Sequence, residues 1–134
     1  MQSPSVMALL YEGGSRYRQI FLDGRQLPQD PNPAWMGYSV GRCEGDTLVV
    51  ESTGYNDRTW LELGYPHTEG LRITERFRRV DHANLEIMLT IDDPKAYTAP
   101  WSIQLHQVLV TDSPDLLDYN CTENERDAIH LAGK

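Results

Sequence analysis

The sequence predicts an all-β protein, a small antiparallel β-barrel or sandwich of the lipocalin-like kind with one short C-terminal helix. Three observations support this prediction: short runs of alternating apolar residues, turn sequences between them, and a helix-capping sequence near the end. Curling the sheet is expected because it avoids long exposed edges. The length of 134 residues is that of a single domain, 1–134, which can bury a core without disulfide bonds.

Seven strands are predicted in chain order. Their approximate ranges are 6–11, 17–22, 37–43, 47–52, 71–80, 85–91 and 101–110. The clearest is 85–91, where Leu85, Ile87, Leu89 and Ile91 alternate and share one face. Three prolines in residues 24–34 predict an extended loop there. The capping box at 122–125, Thr-Glu-Asn-Glu, predicts the terminal helix.

Composition excludes several classes of protein. The formal net charge of −8 argues against binding to nucleic acid or to an anionic membrane surface, since phosphate binding needs clustered lysine and arginine. The sequence has no run of about 18 apolar residues, so no membrane span is predicted. The start of the chain lacks the pattern of a signal peptide, and the compartment stays open. The two cysteines, Cys43 and Cys121, are predicted to be free thiols.

A polar spot is predicted inside the sheet. Glu75 alternates with Ile73 and Phe77, and Arg42 alternates with Tyr38 and Val40, so each lies on an apolar face of its strand. If both point inward, they can pair. On one interpretation Glu75 and Arg42 form a structural pair or lie at the strand ends in water. On the other they are the polar part of an apolar ligand pocket. On the second interpretation Arg42 and Tyr38 contact the ligand.

The longest segment without periodicity, 53–70, is a candidate functional loop. It contains Asp57, Arg58, Trp60 and His67, and a histidine beside a carboxylate can act as a general base. The four histidines show no metal-ligand spacing, so neither a metal site nor another cofactor is predicted.

The segment after the 85–91 strand offers a third group of candidates. Asp92-Asp93-Pro94-Lys95 has the composition of a turn, and Tyr97 follows it. Five aromatic residues near strand ends could form the wall of a ligand site, although core packing explains them as well. These aromatic residues are Trp35, Tyr38, Trp60, Tyr97 and Trp101.

These patterns favour a protein that binds an apolar or aromatic small molecule between its strands and residues 54–70. Glu75, Arg42 and His67 would supply the polar contacts. The alternative is a small lyase, isomerase or hydrolase in the same cavity, with a metal-assisted enzyme as a variant. In that enzyme His67, Glu75, Asp57 or Tyr97 would act on protons, and Arg42, Arg58 or Tyr97 would stabilise negative charge. A structural domain without a cavity is a third class. No nucleophile elbow, P-loop, dinucleotide fingerprint or CxxC motif is present.

Several long runs resemble a family of uncharacterised bacterial proteins that is frequent in soil and acidobacterial lineages. They include RQIFLDGRQLPQDPNPAWMGYSVGR, EGDTLVVESTGYNDRTWL, PHTEGLRITERFRR, LEIMLTIDDPKAYTAPW and CTENERDAIHLAGK. The resemblance implies no particular reaction. Longer members carry an export signal and an additional N-terminal segment, and they have tryptophan where Cys43 stands here. If that segment covers a sheet edge in the relatives, a second copy of this chain is expected to cover it here, giving a homo-oligomer.

Overall fold

The computed structural model describes residues 1–13 and 16–112, and this part of the chain is all-β, as predicted. Its nine strands are β1 (Val6–Tyr11), β2 (Arg16–Phe21), β3 (Tyr38–Glu44), β4 (Thr47–Thr53), β5 (Trp60–Glu62), β6 (Tyr65–Pro66), β7 (Arg72–Arg79), β8 (Asn84–Asp92) and β9 (Trp101–Val108). The predicted C-terminal helix and Cys121 lie outside the described residues. No helix within the described ranges is long and apolar enough to cross a bilayer.

Seven strands form one sheet in the order β1-β2-β3-β4-β7-β8-β9. All neighbours pair antiparallel except β2 and β3, which pair parallel. The parallel pair follows from the long proline-containing connection between these strands, which brings the chain back to start β3 in the same direction as β2. Strands β5 and β6 form a separate two-stranded sheet within the 53–70 segment, where no strand was predicted.

The pairing register divides the main sheet into two faces. Glu75 lies opposite Val50 on one side and Leu89 on the other, and Ile73 lies opposite Ile91. Opposed residues point to the same face, so Glu75 shares a face with the apolar residues of β8, as the sequence predicted. We call this the inner face.

The sheet curls around the inner face into a half-barrel. Met7 and Leu9 of β1 line the same groove as Phe77 of β7 and Leu85 of β8, although β1 and β8 are separated by four strands in the sheet order. Strands in a flat sheet are spaced by about 4.8 Å, which would hold these residues far apart. The sheet therefore bends so that β1 approaches β7 and β8.

Most of the buried apolar side chains lie on β2, β3 and β4. The buried apolar core consists of Ile20, Val40, Val49, Val50, Leu71 and Ile91. Val49 and Val50 are adjacent residues of β4 and are both buried, so this strand is covered on both faces.

Gly37 lies where the chain enters β3. Its backbone has positive φ and lies close to the backbone of Thr53. Its φ is +62°, and an added Cβ would lie 2.8 Å from the carbonyl oxygen of Thr53. Gly24 also has positive φ, +81°, but nothing lies within 4 Å of its Cβ position. A side chain at Gly24 would therefore meet only backbone strain, whereas a side chain at Gly37 would meet strain and a steric clash.

We expect Gly37→Ala to lower the free energy of unfolding by more than Gly24→Ala does. The second substitution should cost about 1 kcal/mol, because it introduces only strain at positive φ. The first adds a clash with backbone that cannot move away cheaply. Urea denaturation of both variants measures the difference, and equal losses would contradict the close approach at Gly37.

Candidate functional site

A buried ion pair lies at the centre of the inner face. Arg18 Nη1 donates to Glu75 Oε1 at 3.0 Å, and Arg18 Nη2 donates to Glu75 Oε2. The same guanidinium donates from Nε to Ser39 Oγ at 2.9 Å and from Nη2 to Ser52 Oγ at 2.7 Å. All four residues are buried. We call Arg18, Ser39, Ser52 and Glu75 the inner polar cluster.

The geometry of the inner polar cluster is that of a fixed charge pair. Burial lowers the pKa of Arg18, but the hydrogen bonds and the negative charge of Glu75 outweigh it, so the pKa stands above its usual value. The two serine hydroxyls also lie 2.9 Å apart, within hydrogen-bond distance of each other. Four hydrogen bonds from the guanidinium of Arg18 and both carboxylate oxygens of Glu75 are used inside the protein.

Arg42 does not form the pair with Glu75 that the sequence predicted for the case in which both point inward. Arg42 lies opposite Val49 of β4, whereas Glu75 lies opposite Val50, so the two side chains are on opposite faces. On the outer face Arg42 donates to Glu51 at 2.5 Å and to Glu44 at 3.0 Å. The inner partner of Glu75 is Arg18, a residue that the sequence pattern did not indicate.

His67 is a buried residue of the 53–70 segment, and its hydrogen bonds are made within that segment. Its Nδ1 lies 3.3 Å from the carbonyl oxygen of Thr68, which can only accept, so Nδ1 donates. Its Nε2 lies 3.2 Å from the hydroxyl of Thr59. The ring also packs edge-on against Tyr55, with centroids 6.2 Å apart. Neither ring nitrogen is hydrogen-bonded to a carboxylate among the described residues, so the predicted pairing of His67 with an acid is not formed.

Asp93 joins the 53–70 segment to the turn after β8. This buried carboxylate accepts from the backbone N–H of Thr68 at 2.6 Å, from the Thr68 hydroxyl at 3.0 Å and from the N–H of Lys95 at 3.1 Å. Burial raises the pKa of Asp93, but the hydrogen bonds from Thr68 and Lys95 outweigh it and lower the pKa below its usual value. Tyr97 adds a second link, donating to the carbonyl oxygen of Pro66 at 2.7 Å.

The aromatic residues do not form one wall. Trp35 and Trp60 are 61% and 58% exposed. Tyr38 lies on the outer face, where it stacks on Phe21 at 5.1 Å. Trp101 packs near Tyr97, with centroids 5.6 Å apart. The five aromatic residues predicted to form the wall of a ligand site therefore lie in at least three separate places.

The remaining residues predicted for the loop are at the surface. Asp57 and Arg58 are exposed, and the backbone N–H of Arg58 donates to Asn56 Oδ1 at 3.0 Å. Among the described residues, neither side chain forms a hydrogen bond with Glu75 or His67. In the same part of the chain, no three His, Cys, Asp or Glu side chains are placed so that they could hold one metal ion.

A groove lies on the inner face, between β1 and the β3–β4 and β7–β8 turns. It has a volume of about 410 Å³. We call it the inner groove, and its lining residues are Met7, Leu9, Cys43, Gly45, Asp46, Thr47, Leu48, Phe77, Arg79 and Leu85. A volume of this size suits a small molecule. The sequence does not predict this site, because the bending of the sheet is what brings its walls together.

Arg79 lies at the edge of the inner groove. Its Nε donates to the carbonyl oxygen of Asp81 at 3.1 Å, and its Nη2 donates to that of His82 at 2.9 Å. It also borders a second groove of about 400 Å³ that runs along the end of β8 toward Leu109. No carboxylate of the described residues pairs with this guanidinium, so its charge is available to a ligand in either groove.

Comparisons of the chain with protein-family models, with curated proteins and with solved structures found no match.

Proposed function

We propose that this protein binds an apolar small molecule carrying an anionic group, in the inner groove. The observation that carries this proposal is the groove itself, an apolar cavity at the curled end of the sheet with an arginine at its edge. Small-molecule sites are commonly mostly apolar, with a few polar groups that orient the ligand. The inner groove combines these two features.

The apolar part of the ligand would contact Met7, Leu9, Leu48, Phe77 and Leu85. These side chains come from four strands and are each only partly buried, so they have apolar surface left to cover. Covering such surface is favourable by roughly 25 cal/mol per Å². An aliphatic chain or a small aromatic system would provide that cover.

The anionic part would contact Arg79. Two neutral carbonyl groups hold its guanidinium at the groove edge, and several of its N–H donors remain free of these bonds. A carboxylate that accepts from this guanidinium would form a charge-assisted hydrogen bond. Asp46, the carboxylate among the lining residues, instead accepts from the hydroxyl of Thr47 at 3.0 Å.

Catalysis in this fold has less support than binding. The residues predicted to move protons are spread over separate places: Glu75 is paired with Arg18 inside the sheet, and His67 is held by Thr59 and Thr68. A general acid and base must both reach the reacting atoms. We therefore favour a binding protein over an acid–base enzyme.

Cys43 serves as a reporter for occupancy of the inner groove, because it is exposed and lines it. In a Cys121→Ser variant, we expect dodecanoate to slow the alkylation of Cys43 by N-ethylmaleimide. A matched reporter is Met88→Cys in a chain lacking both native cysteines, since Met88 is exposed on the outer face. Its alkylation should be unchanged. If dodecanoate leaves the rate at Cys43 unchanged as well, the inner groove is not the binding site.

Arg79→Leu should weaken the binding of dodecanoate by about tenfold or more, in keeping with the value of a hydrogen bond to a charged group. The affinity for dodecanol should change little, because the alcohol has no negative charge. Arg79→Lys keeps the cation and should retain part of the affinity. Isothermal titration calorimetry measures all these affinities. An equal loss for acid and alcohol would assign Arg79 a structural role instead.

A further inference from the structure

Strand β9 ends the sheet, and one side of its backbone has no pairing strand among the described residues. The N–H of Leu109 donates to the carbonyl oxygen of Ala83 at 2.7 Å. Because backbone groups alternate in direction along a strand, odd-numbered residues here face β8 and even-numbered residues face outward. The outward-facing residues of β9 are Ser102, Gln104, His106 and Val108.

The composition of this edge does not prevent pairing. Residues 101–110, WSIQLHQVLV, contain no Asp, Glu, Lys, Arg or Pro. The pairing of β9 with β8 is regular from Trp101 to Val108, so no bulge twists the edge away. Ile103 and Leu105 are 40% and 37% exposed on the inner face. Proteins normally protect an edge strand with charges, proline or bulges, and this edge has none of them.

The opposite edge of the sheet is partly covered. At β1, the N–H of Ala8 donates to the carbonyl oxygen of Met1 at 2.7 Å, and Gln2 forms an antiparallel bridge with Met7. Residues 1–3 thus fold back along the edge of β1 and use some of its backbone groups. Of the two edges of the described sheet, β9 is the more open to a further strand.

We propose that β9 pairs with β9 of a second copy of this chain, antiparallel and around a two-fold axis at Leu105. In that register Gln104 lies opposite the partner's His106, and Ser102 lies opposite the partner's Val108. All four outward-facing residues then form backbone hydrogen bonds. The two-fold axis also puts the inner faces of both copies on the same side, so Ile103 and Leu105 continue one apolar surface across the junction.

Charge favours this edge as the meeting place of two copies. The chain has a formal net charge of −8, so two copies repel each other over most approaches. Strand β9 has no formally charged side chain, and its pairing brings no acidic residues of the strand itself into contact. We expect the dimer to become tighter as the ionic strength rises, because salt screens the remaining repulsion.

Sedimentation equilibrium on the full chain tests the proposal. We expect a monomer–dimer equilibrium in the micromolar range, with a lower dissociation constant in high salt. Gln104→Pro removes an outward N–H while leaving the hydrogen bonds to β8 in place, and it should weaken the dimer at least tenfold. The thermal unfolding of this variant at low concentration checks that it folds. A chain that stays monomeric at low and high salt overturns the proposal, including the case in which residues 113–134 cover the β9 edge.

Cysteine cross-linking tests the register independently of affinity. In a chain with Cys43 and Cys121 replaced by serine, Leu105→Cys places the new thiol opposite its own copy in a non-hydrogen-bonded pair. The two Cα atoms would be about 4.5 Å apart, which permits a disulfide. Ile103→Cys is the matched control, because its thiol would lie opposite the partner's Gln107. Oxidation should link the first variant and not the second, and failure of Leu105→Cys to link overturns the proposed pairing.

Discussion

Replacing Glu75 by leucine is expected to lower the free energy of unfolding by about 3–5 kcal/mol. The substitution leaves the Arg18 guanidinium buried on the inner face without its counter-charge, and stranding one member of a buried ion pair has a cost of that order. Serine hydroxyls at positions 39 and 52 cannot compensate, because they are dipoles and carry no charge. Urea denaturation monitored by circular dichroism measures the loss.

Removing both charges should restore most of this stability. In the double variant Arg18→Met and Glu75→Leu neither of these two charges remains in the core. The hydroxyls of Ser39 and Ser52, 2.9 Å apart, can still hydrogen-bond to each other. Apolar replacements of buried ion pairs are often neutral or stabilising. We therefore expect the double variant to be more stable than Glu75→Leu alone, which a double-mutant cycle measures directly.

Glu51→Leu is the control for this experiment. Its carboxylate pairs with Arg42 on the outer face, where both side chains are about half exposed. Exposed ion pairs contribute about 0–1 kcal/mol, so this substitution should have a small effect. Equal losses for Glu51→Leu and Glu75→Leu would mean that water reaches the inner polar cluster as freely as it reaches the surface.

The inner position of Glu75 could be predicted from sequence, but its partner could not. Alternation in β7 and β8 is clear, and it correctly puts Glu75 beside Leu89. In β3 alternation selected the wrong face for Arg42, because Tyr38 and Val40 look like inner residues. The structure buries Val40 on the outer face, which is partly covered near Phe21 and Arg25. When both faces of a strand are covered, an apolar pattern no longer identifies the inside.

Arg18 and the inner groove were missed for related physical reasons. In β2 both alternating sets contain apolar residues, Ile20 on one face and Phe21 on the other, so the pattern left the direction of Arg18 open. The inner groove depends on the curl that brings β1 near β8. Periodicity along a strand gives the face of each side chain, but it says nothing about how far a sheet bends.

Asp93→Ala should also be strongly destabilising, by about 2–4 kcal/mol. The carboxylate is fully buried and accepts three hydrogen bonds, two from Thr68 and one from Lys95. Without it the half-buried donors of Thr68 lose their acceptor, and a buried group left unsatisfied costs about 1–3 kcal/mol. Asp92→Ala is the matched control, since this neighbouring carboxylate is only half-buried. Urea denaturation of both variants should show a much smaller loss at Asp92.

The contribution of Asp93 should disappear in acid. Its pKa is lower in the folded protein than in the unfolded chain, so folding is favoured by its ionised form. The stabilisation is fully present above the unfolded pKa of about 3.9, and it is lost as the pH falls through the lower, folded value. The difference in unfolding free energy between wild type and Asp93→Asn should therefore be constant near neutral pH and shrink below about pH 4. Asp23, Glu44 and Asp81 also have lowered pKa values, but they are present in both proteins. Their effects therefore cancel in the difference between wild type and Asp93→Asn. A difference that stays constant down to strongly acidic pH would show that the three hydrogen bonds do not depend on the charge of Asp93.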